Sequence, residues 1–519
     1  MRGKLFGKDR ISRRSFLAAA GSAPLVAAAA ARAGVPASSA GQPNILIILS
    51  DQLAQQAVGI YGNRDVRTPN IDELARGGVR FSNAYTSCPL CQPARASLWT
   101  GLLSHQTGVD SNGLNYPVPT VSKRTPTLGE IFSKAGYDTV NFGKRHDAGS
   151  LRGFRLVDIE EDELEAPDAW PVNYDSKQDE PTTRNVVEYL GGEHNRPFLA
   201  ITSLNNPHNI CGWIGAFEGP HKDLPLPEGE LPPLPANFEI KDIEKLPLPI
   251  QYLCCSHRRL QMASGWNKEN YRHYLAAYYH YTQMMDAQLG RIMDALKASS
   301  AWNNTIVVFL SDHGDGMGAH RMVTKQVSFY EEMTRVPLIF AGPGMAGPGR
   351  ILREPLTSSI DLLPTLCDLA GLKAPARLPG RSMAGWLRGE SDPVGNEYVV
   401  SQWQTEWGYT VSPGRMLRTE QFKYTCYLEG NGEELYDLKK DPGETRNLIR
   451  DKGYRKELER HRRLLKEHAR DTRDPFFGQG ITVDPRWRSH EPGYPHHEGP
   501  SAPAAAWAEE ERKKSDGAH

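Results

Sequence analysis

Asn44-Ile45-Leu46-Ile47-Ile48-Leu49-Ser50, followed directly by Asp51-Gln52, is the stretch that decides the fold. It is apolar without alternation, so it reads as a central parallel strand buried on both faces. Far along the chain, Thr305-Ile306-Val307-Val308-Phe309-Leu310-Ser311 is a near copy that ends in Asp312-His313-Gly314. Ligands of an open α/β sheet gather at the carboxyl edge of its strands. Two matched strand ends that deliver Asp51, Gln52, Asp312 and His313 to that edge are a candidate metal cradle. Taken singly, either aspartate reads as the cap of a following helix. Asp315 receives only that reading, and the nearby His320 is assigned no role.

Outward from these two runs, strands alternate with helical patterns, the mark of a large mixed, mainly parallel sheet flanked by helices. Residues 137–142, 197–202 and 335–340 read as strands, and residues 127–134, 185–190, 271–297 and 360–370 as helices. Pro364 falls in a first turn, where a missing N–H is tolerated. A proline-rich insertion at residues 224–250 reads as loop. After Glu397 the pattern changes to short strands at residues 398–402, 416–418 and 422–427, then a charged helix at residues 452–470. The expected organisation is an α/β domain over residues 42–395 and a smaller antiparallel α+β subdomain over residues 396–472. Residues 473–519, rich in Pro, Gly, His and charge, read as an extended tail with too little apolar surface to fold alone.

Ser12-Arg13-Arg14-Ser15-Phe16-Leu17 resembles a twin-arginine export signal, an alanine-rich stretch follows, and Ala31-Arg32-Ala33 offers a cleavage site. The uncharged stretch after Arg14 is shorter than the ~20 apolar residues of a spanning helix. Residues 1–33 are therefore read as a signal peptide, with the twin-arginine translocase as a partner and the bacterial periplasm or medium as the destination. Among 519 residues, 61 Lys and Arg face 62 Asp and Glu, a balance that gives no pull toward nucleic acid. Seven cysteines permit disulfides in such a compartment without demanding them.

Cys91-Gln92-Pro93-Ala94-Arg95, followed by Leu98-Trp99-Thr100-Gly101, carries the chemistry. A buried structural cysteine before a turn is one reading. A redox or zinc reading competes, because Cys88-Pro89-Leu90-Cys91 is also Cys-x-x-Cys, but that pair has no second of its kind, only the adjacent Cys254 and Cys255. Cys-x-Pro-x-Arg also looks like the core of the sulfatase signature, in which the cysteine is oxidised to Cα-formylglycine. Ordered motifs extend the likeness over most of the chain beyond the leader. Asp51-Gln52 is similar to the first metal pair of that family, Gly143-Lys144-Arg145-His146 to its Gly-Lys-x-His motif and Pro207-His208 to its Pro-His motif. Asp312-His313-Gly314 resembles the second metal pair, and Lys325 falls where the family places a further lysine. Glu434-Leu435-Tyr436-Asp437-Leu438 with Asp441-Pro442-Gly443-Glu444 looks like its C-terminal marker. The whole resembles the sulfatases of the alkaline phosphatase superfamily. Gln52 stands where many members carry a second aspartate, and Gln92 where a small residue is usual.

The resemblance implies a hydrolase of sulfate monoesters acting on a sulfated small molecule or glycan. A formylglycine-generating enzyme would mature Cys91, because a hydrated aldehyde offers one hydroxyl to attack sulfur and another to expel the product. Ca2+, with Mg2+ or Mn2+ as alternatives, would be held by Asp51, Gln52, Asp312, His313 and the residue made from Cys91. Arg95 and Lys144 would orient the hydrate, His208 with Lys325 would protonate the leaving oxygen, and His146 would take the proton of the second hydroxyl. Two other functions stay open at this point: a phosphonate or phosphate ester hydrolase of the same superfamily, and a non-catalytic glycan-binding protein. Trp213 and Trp403 are candidates for stacking on a sugar ring.

Overall fold

The two apolar runs are neighbouring strands, β1 (Asn44–Asp51) and β6 (Thr305–Ser311), paired in parallel without a register shift. The structure is a computed structural model that describes residues 41–112, 120–157, 177–217, 230–240, 245–247, 249–250, 263, 266–325, 328–391, 393–404, 413–428 and 432–478. The leader, Cys254, Cys255, much of the 224–250 insertion and the chain beyond residue 478 lie outside the described residues.

Around this pair stand β2 (Val79–Tyr85), β3 (Asp138–Gly143), β4 (Arg155–Val157), β5 (Phe198–Pro207), β7 (Leu338–Ala341) and β8 (Arg350–Ser358). The sheet order is β4-β3-β5-β1-β6-β7-β2-β8. Only β7 runs antiparallel to its neighbours, so the sheet is mixed and mainly parallel. Ile45, Leu46, Ile47, Ile48 and Leu49 are all 0% exposed, which explains the absence of alternation. Burial of each such side chain contributes about 1.5–3 kcal/mol. Leu46 and Ile48 face a core shared with the long helix Lys268–Ala298 and the helices Pro69–Gly77 and Asp179–Gly191. Ile45, Ile47 and Leu49 face the helices Cys91–Thr100, Leu128–Lys134 and Leu362–Leu369.

Some elements differ from the sequence reading. The helix expected at residues 185–190 spans Asp179–Gly191, with Pro181 in its first turn, where no N–H is needed. The strand expected at residues 335–340 shortens to Leu338–Ala341, because Pro337 has no N–H to give a ladder. Of the insertion, residues 230–240 hold no helix or strand, as expected, but residue 245 and residues 249–250 are helical, so the expected loop does not run its whole length. Trp213 and Trp403 are 0% and 2% exposed within the apolar core, so neither offers a face to a sugar.

A second sheet is antiparallel, with β9 (Val399–Trp403), β10 (Gly414–Arg418), β11 (Phe422–Tyr427) and β12 (Glu433–Asp437) in the order β12-β11-β10-β9. The helix Arg455–Thr472 covers it through Leu458, Leu465 and Ala469. Packing continues past residue 472, where Arg415 grips both carboxylate oxygens of the buried Asp474 at 2.6 and 2.9 Å. Buried Lys423 of β11 reaches Glu331 at 2.9 Å and Glu444 of the C-terminal marker at 2.8 Å, tying this sheet to the segment that follows β6.

Candidate active site

Strand register assembles the site. Ser50 pairs with Ser311, so Asp51 and Asp312 leave the sheet side by side. β5 sets Pro207 against Asp51 and Ser203 against Gly143, which brings His208 and the residues after β3 to the same edge. The helix Cys91–Thr100 lies across one face with every residue but Gln92 buried, and it starts with Cys91. Beyond Asp312 the chain turns tightly against the segment after Tyr330: Gly314 N–H donates to Met333 O and Asp315 N–H to Glu332 O. A Cβ on Gly314 would lie 1.9 Å from Glu332 O, so only glycine fits.

Arg95, 1% exposed, organises the carboxylates. Its Nε donates to Asp312 Oδ2 at 2.8 Å, one terminal nitrogen to Asp51 Oδ2 at 2.9 Å, and the other to Ser203 Oγ at 2.7 Å. Lys144 Nζ lies 2.8 Å from the same Asp51 oxygen, and its side chain is 18% exposed at the mouth of the site. Burial and the charge of Cys91 push the Asp51 pKa up, but Lys144, His208 and Arg95 outweigh them and hold it well below the usual carboxylate range.

Cys91 Sγ lies 3.1 Å from His313 Nε2 and 3.7 Å from Asp51 Oδ1. Burial raises the thiol pKa, but Lys325, His313 and hydrogen bonds from His146 and His208 draw it well below its ordinary value. Both histidines therefore converge on the Cys91 side chain. His208 is pushed down to about 3 by burial and by the charges of Lys144 and Lys325. His313 Nδ1 bonds Gly314 O at 2.8 Å, which fixes the ring and leaves Nε2 facing the cluster.

One ligand atom each from Asp51, Cys91, Asp312 and His313 falls within 4.8 Å of the others, all four residues buried. The donor set fits a cation. Asp51 and Cys91 both push the Asp312 pKa up, after burial, and Asp312 with Cys91 draws the His313 pKa up to about 9 against burial. Crowded anions that repel one another and recruit a proton are groups that a divalent ion would satisfy instead.

Gln52 sits differently from these four. Its backbone has φ 69°, a strained value for a residue with a side chain. Gln52 N–H donates to Asp312 Oδ1 at 3.0 Å, and Tyr278 OH donates to Gln52 O at 2.6 Å. Its side-chain oxygen accepts from Lys325 Nζ at 3.1 Å, and its amide nitrogen donates to Asp315 Oδ2 at 2.7 Å. The structure thus brings Asp51, Cys91, Arg95, Lys144, His146, His208, Asp312 and His313 together, with Lys325 joined through Gln52. Ser203, Asp315, Tyr274 and Tyr278 are site neighbours that the sequence reading missed. The Cys-x-x-Cys reading gains no pairing, since Cys88 and Cys91 are both free thiols. His320 stacks on Tyr330 at 3.9 Å and serves packing.

Comparison with known proteins follows this geometry. The family model described as Sulfatase matches residues 43–372, and that of the N-sulphoglucosamine sulphohydrolase C-terminal region matches residues 318–471. The Delta 4,5-hexuronate-2-O-sulfatase of Bacteroides thetaiotaomicron is 51% identical over 90% of this chain and 97% of its own. The choline-sulfatase of Rhizobium meliloti is 30% identical over 79% of this chain and 82% of its own. A solved 2-O GAG sulfatase superposes with TM-score 0.82 at 48% identity, over 90% of this chain and 99% of its own. A phosphonate monoester hydrolase of Agrobacterium radiobacter superposes with TM-score 0.69 at 25% identity, over 83% of this chain and 96% of its own. On the family match over residues 43–372 and these relatives, this chain belongs to the sulfatases, hydrolases of sulfuric esters.

Proposed function

We propose that the protein removes the 2-O-sulfate of a Δ4,5-unsaturated hexuronate in glycosaminoglycan fragments, after maturation of Cys91 to formylglycine. The 51% identity that runs through 97% of the hexuronate-2-O-sulfatase carries this reading. The likeness to a phosphonate monoester hydrolase supports a second reading, phosphonate ester hydrolysis, at half that identity.

Cys91 Sγ stands where an oxygen of the hydrated aldehyde would lie. A divalent cation held by Asp51, Asp312, His313 and residue 91 would act there as a Lewis acid toward a sulfate oxygen, Ca2+ being favoured by the carboxylate oxygens. Arg95 keeps Asp51 and Asp312 at fixed separation, and Lys144 adds positive charge at the open side for the sulfate. One hydroxyl of residue 91 gives up its proton to the neighbouring Asp312 and forms the new O–S bond while the S–O bond to the sugar breaks, and His208 delivers a proton to the departing oxygen. His146 then takes the proton of the second hydroxyl, the C–O bond to sulfate breaks, and the aldehyde is restored.

The test is sulfate release by protein co-expressed with a formylglycine-generating enzyme. Unsaturated 2-O-sulfated uronate disaccharides should turn over far faster than their 6-O-sulfated isomers, choline sulfate, nitrophenyl sulfate or phenylphosphonate esters. Preference for any other member of the panel overturns the substrate assignment. Export through the twin-arginine translocase to the periplasm or medium is part of the same proposal, supported by Arg13-Arg14 and the residues after them. Replacing both arginines with lysine should hold precursor in the cytoplasm, and unchanged export would refute the leader reading.

A further inference from the structure

Position 52, next to the cation-site residue Asp51, carries a neutral amide, Gln52. A carboxylate lies close behind it. Asp315, 0% exposed, lies one hydrogen bond behind Gln52, its Oδ2 2.7 Å from the Gln52 amide nitrogen. Its other oxygen accepts from Tyr274 OH at 2.6 Å and from Met317 N–H at 2.9 Å. On the far side of the same amide, Lys325 Nζ donates to the Gln52 oxygen at 3.1 Å and Cys211 Sγ lies 3.4 Å from it. An ionised carboxylate only accepts and an ammonium only donates, so one orientation of the amide satisfies both and the reverse satisfies neither. Tyr274 OH also accepts from Thr324 N–H at 2.6 Å, which ties the Asp315 turn to the residue preceding Lys325. Tyr274 and Tyr278 stand one turn apart on the helix Lys268–Ala298, one holding Asp315 and the other the strained Gln52 backbone.

We propose that Asp315 is a positioning residue for the cation site: it supplies, through Gln52, the negative charge that position 52 lacks, and it fixes the amide oxygen toward Lys325. This rests on the cluster of Asp51, Cys91, Asp312 and His313 being a cation site. Groups that orient metal-site residues from behind typically change metal affinity by about 10–100-fold when removed. Asp315→Asn, which keeps the shape and removes the charge, should therefore weaken Ca2+ binding by at least about tenfold. Gln52→Glu with Asp315→Asn, which moves the charge onto position 52, should recover most of that loss.

The experiment is calorimetric Ca2+ titration of the purified full chain and its variants, with thermal unfolding of the metal-free proteins to confirm folding. Asp51→Ala is the control. If Asp51→Ala binds Ca2+ as wild type does, the cation-site reading itself fails. If Asp51→Ala loses Ca2+ but Asp315→Asn binds within threefold of wild type, the site stands and the role of Asp315 is overturned. If Asp315→Asn is weak and the charge-moved double variant is equally weak, the carboxylate acts through packing, and the proposal is overturned. Loss in the single variant with recovery in the double one supports it.

Discussion

Replacing Arg95 with methionine removes the one charge shared by both aspartates while keeping an unbranched apolar side chain. Arg95 bonds Asp312 at 2.8 Å and Asp51 at 2.9 Å, and it is 1% exposed. Breaking a buried ion pair from one side costs about 3–5 kcal/mol, because the abandoned charge stays buried. Asp51 keeps Lys144 at 2.8 Å, and Asp312 keeps the N–H groups of Gln52 and His313 at 3.0 and 2.9 Å, which holds the loss to the lower part of that range. At about 2 °C per kcal/mol for a large domain, the metal-free variant should unfold roughly 6–8 °C below wild type. A cation would screen the same two carboxylates, so saturating Ca2+ should narrow the gap. Thermal unfolding with EDTA and with Ca2+ measures both, on proteins made without the maturation enzyme, since Arg95 is part of the motif that carries Cys91. A gap under about 1 °C without metal would refute the bridging role. A full-size gap that Ca2+ leaves unchanged would refute the link between Arg95 and the cation site.

Three further outcomes follow from the same geometry. His208→Ala should slow sugar sulfates, which need a proton on leaving, far more than nitrophenyl sulfate, whereas Lys144→Ala should slow both; equal losses from His208→Ala would remove its role as acid. Because burial, Lys144 and Lys325 set His208 at about 3 in the free site, the protonated acid becomes scarcer as pH rises. kcat/KM for sugar sulfates should therefore fall with rising pH across the neutral range, and a flat profile would contradict this. Burial raises the Asp474 pKa, but the twin bonds from Arg415 outweigh it, so the folded value lies below the unfolded one. Its stabilisation is then complete above the unfolded pKa of about 3.9 and is lost as pH falls through the lower folded value. Asp474→Asn should lower Tm at neutral pH by a gap that narrows in acid, and a pH-independent gap would refute the assignment.

Legibility in the sequence tracked burial pattern and distance along the chain. β1 and β6 were readable because strands buried on both faces are continuous apolar runs, and their in-register pairing places Asp51 and Asp312 together as expected. The helix Cys91–Thr100 was not readable as a helix: nine of its ten residues are buried, so no apolar stripe marks a face. β8 carries Pro355 and, before it, the charged Arg350, Arg353 and Glu354, which masks an edge strand as loop. The likeness of ordered motifs named Lys144, His146, His208 and Lys325, and the structure draws them to one edge. Asp315 escaped because its part in the site depends on Gln52, 263 residues away in the chain. Nothing local distinguishes it from a helix cap.

The central claim is that Cys91 becomes the nucleophile, and peptide mass spectrometry of active protein from an oxidising, maturation-competent host tests it most directly. The account predicts a peptide around residue 91 that carries an aldehyde or its hydrate, captured by hydrazine, in proportion to sulfate-releasing activity. Fully active protein in which Cys91 is found only as thiol, or joined to Cys88, would contradict it.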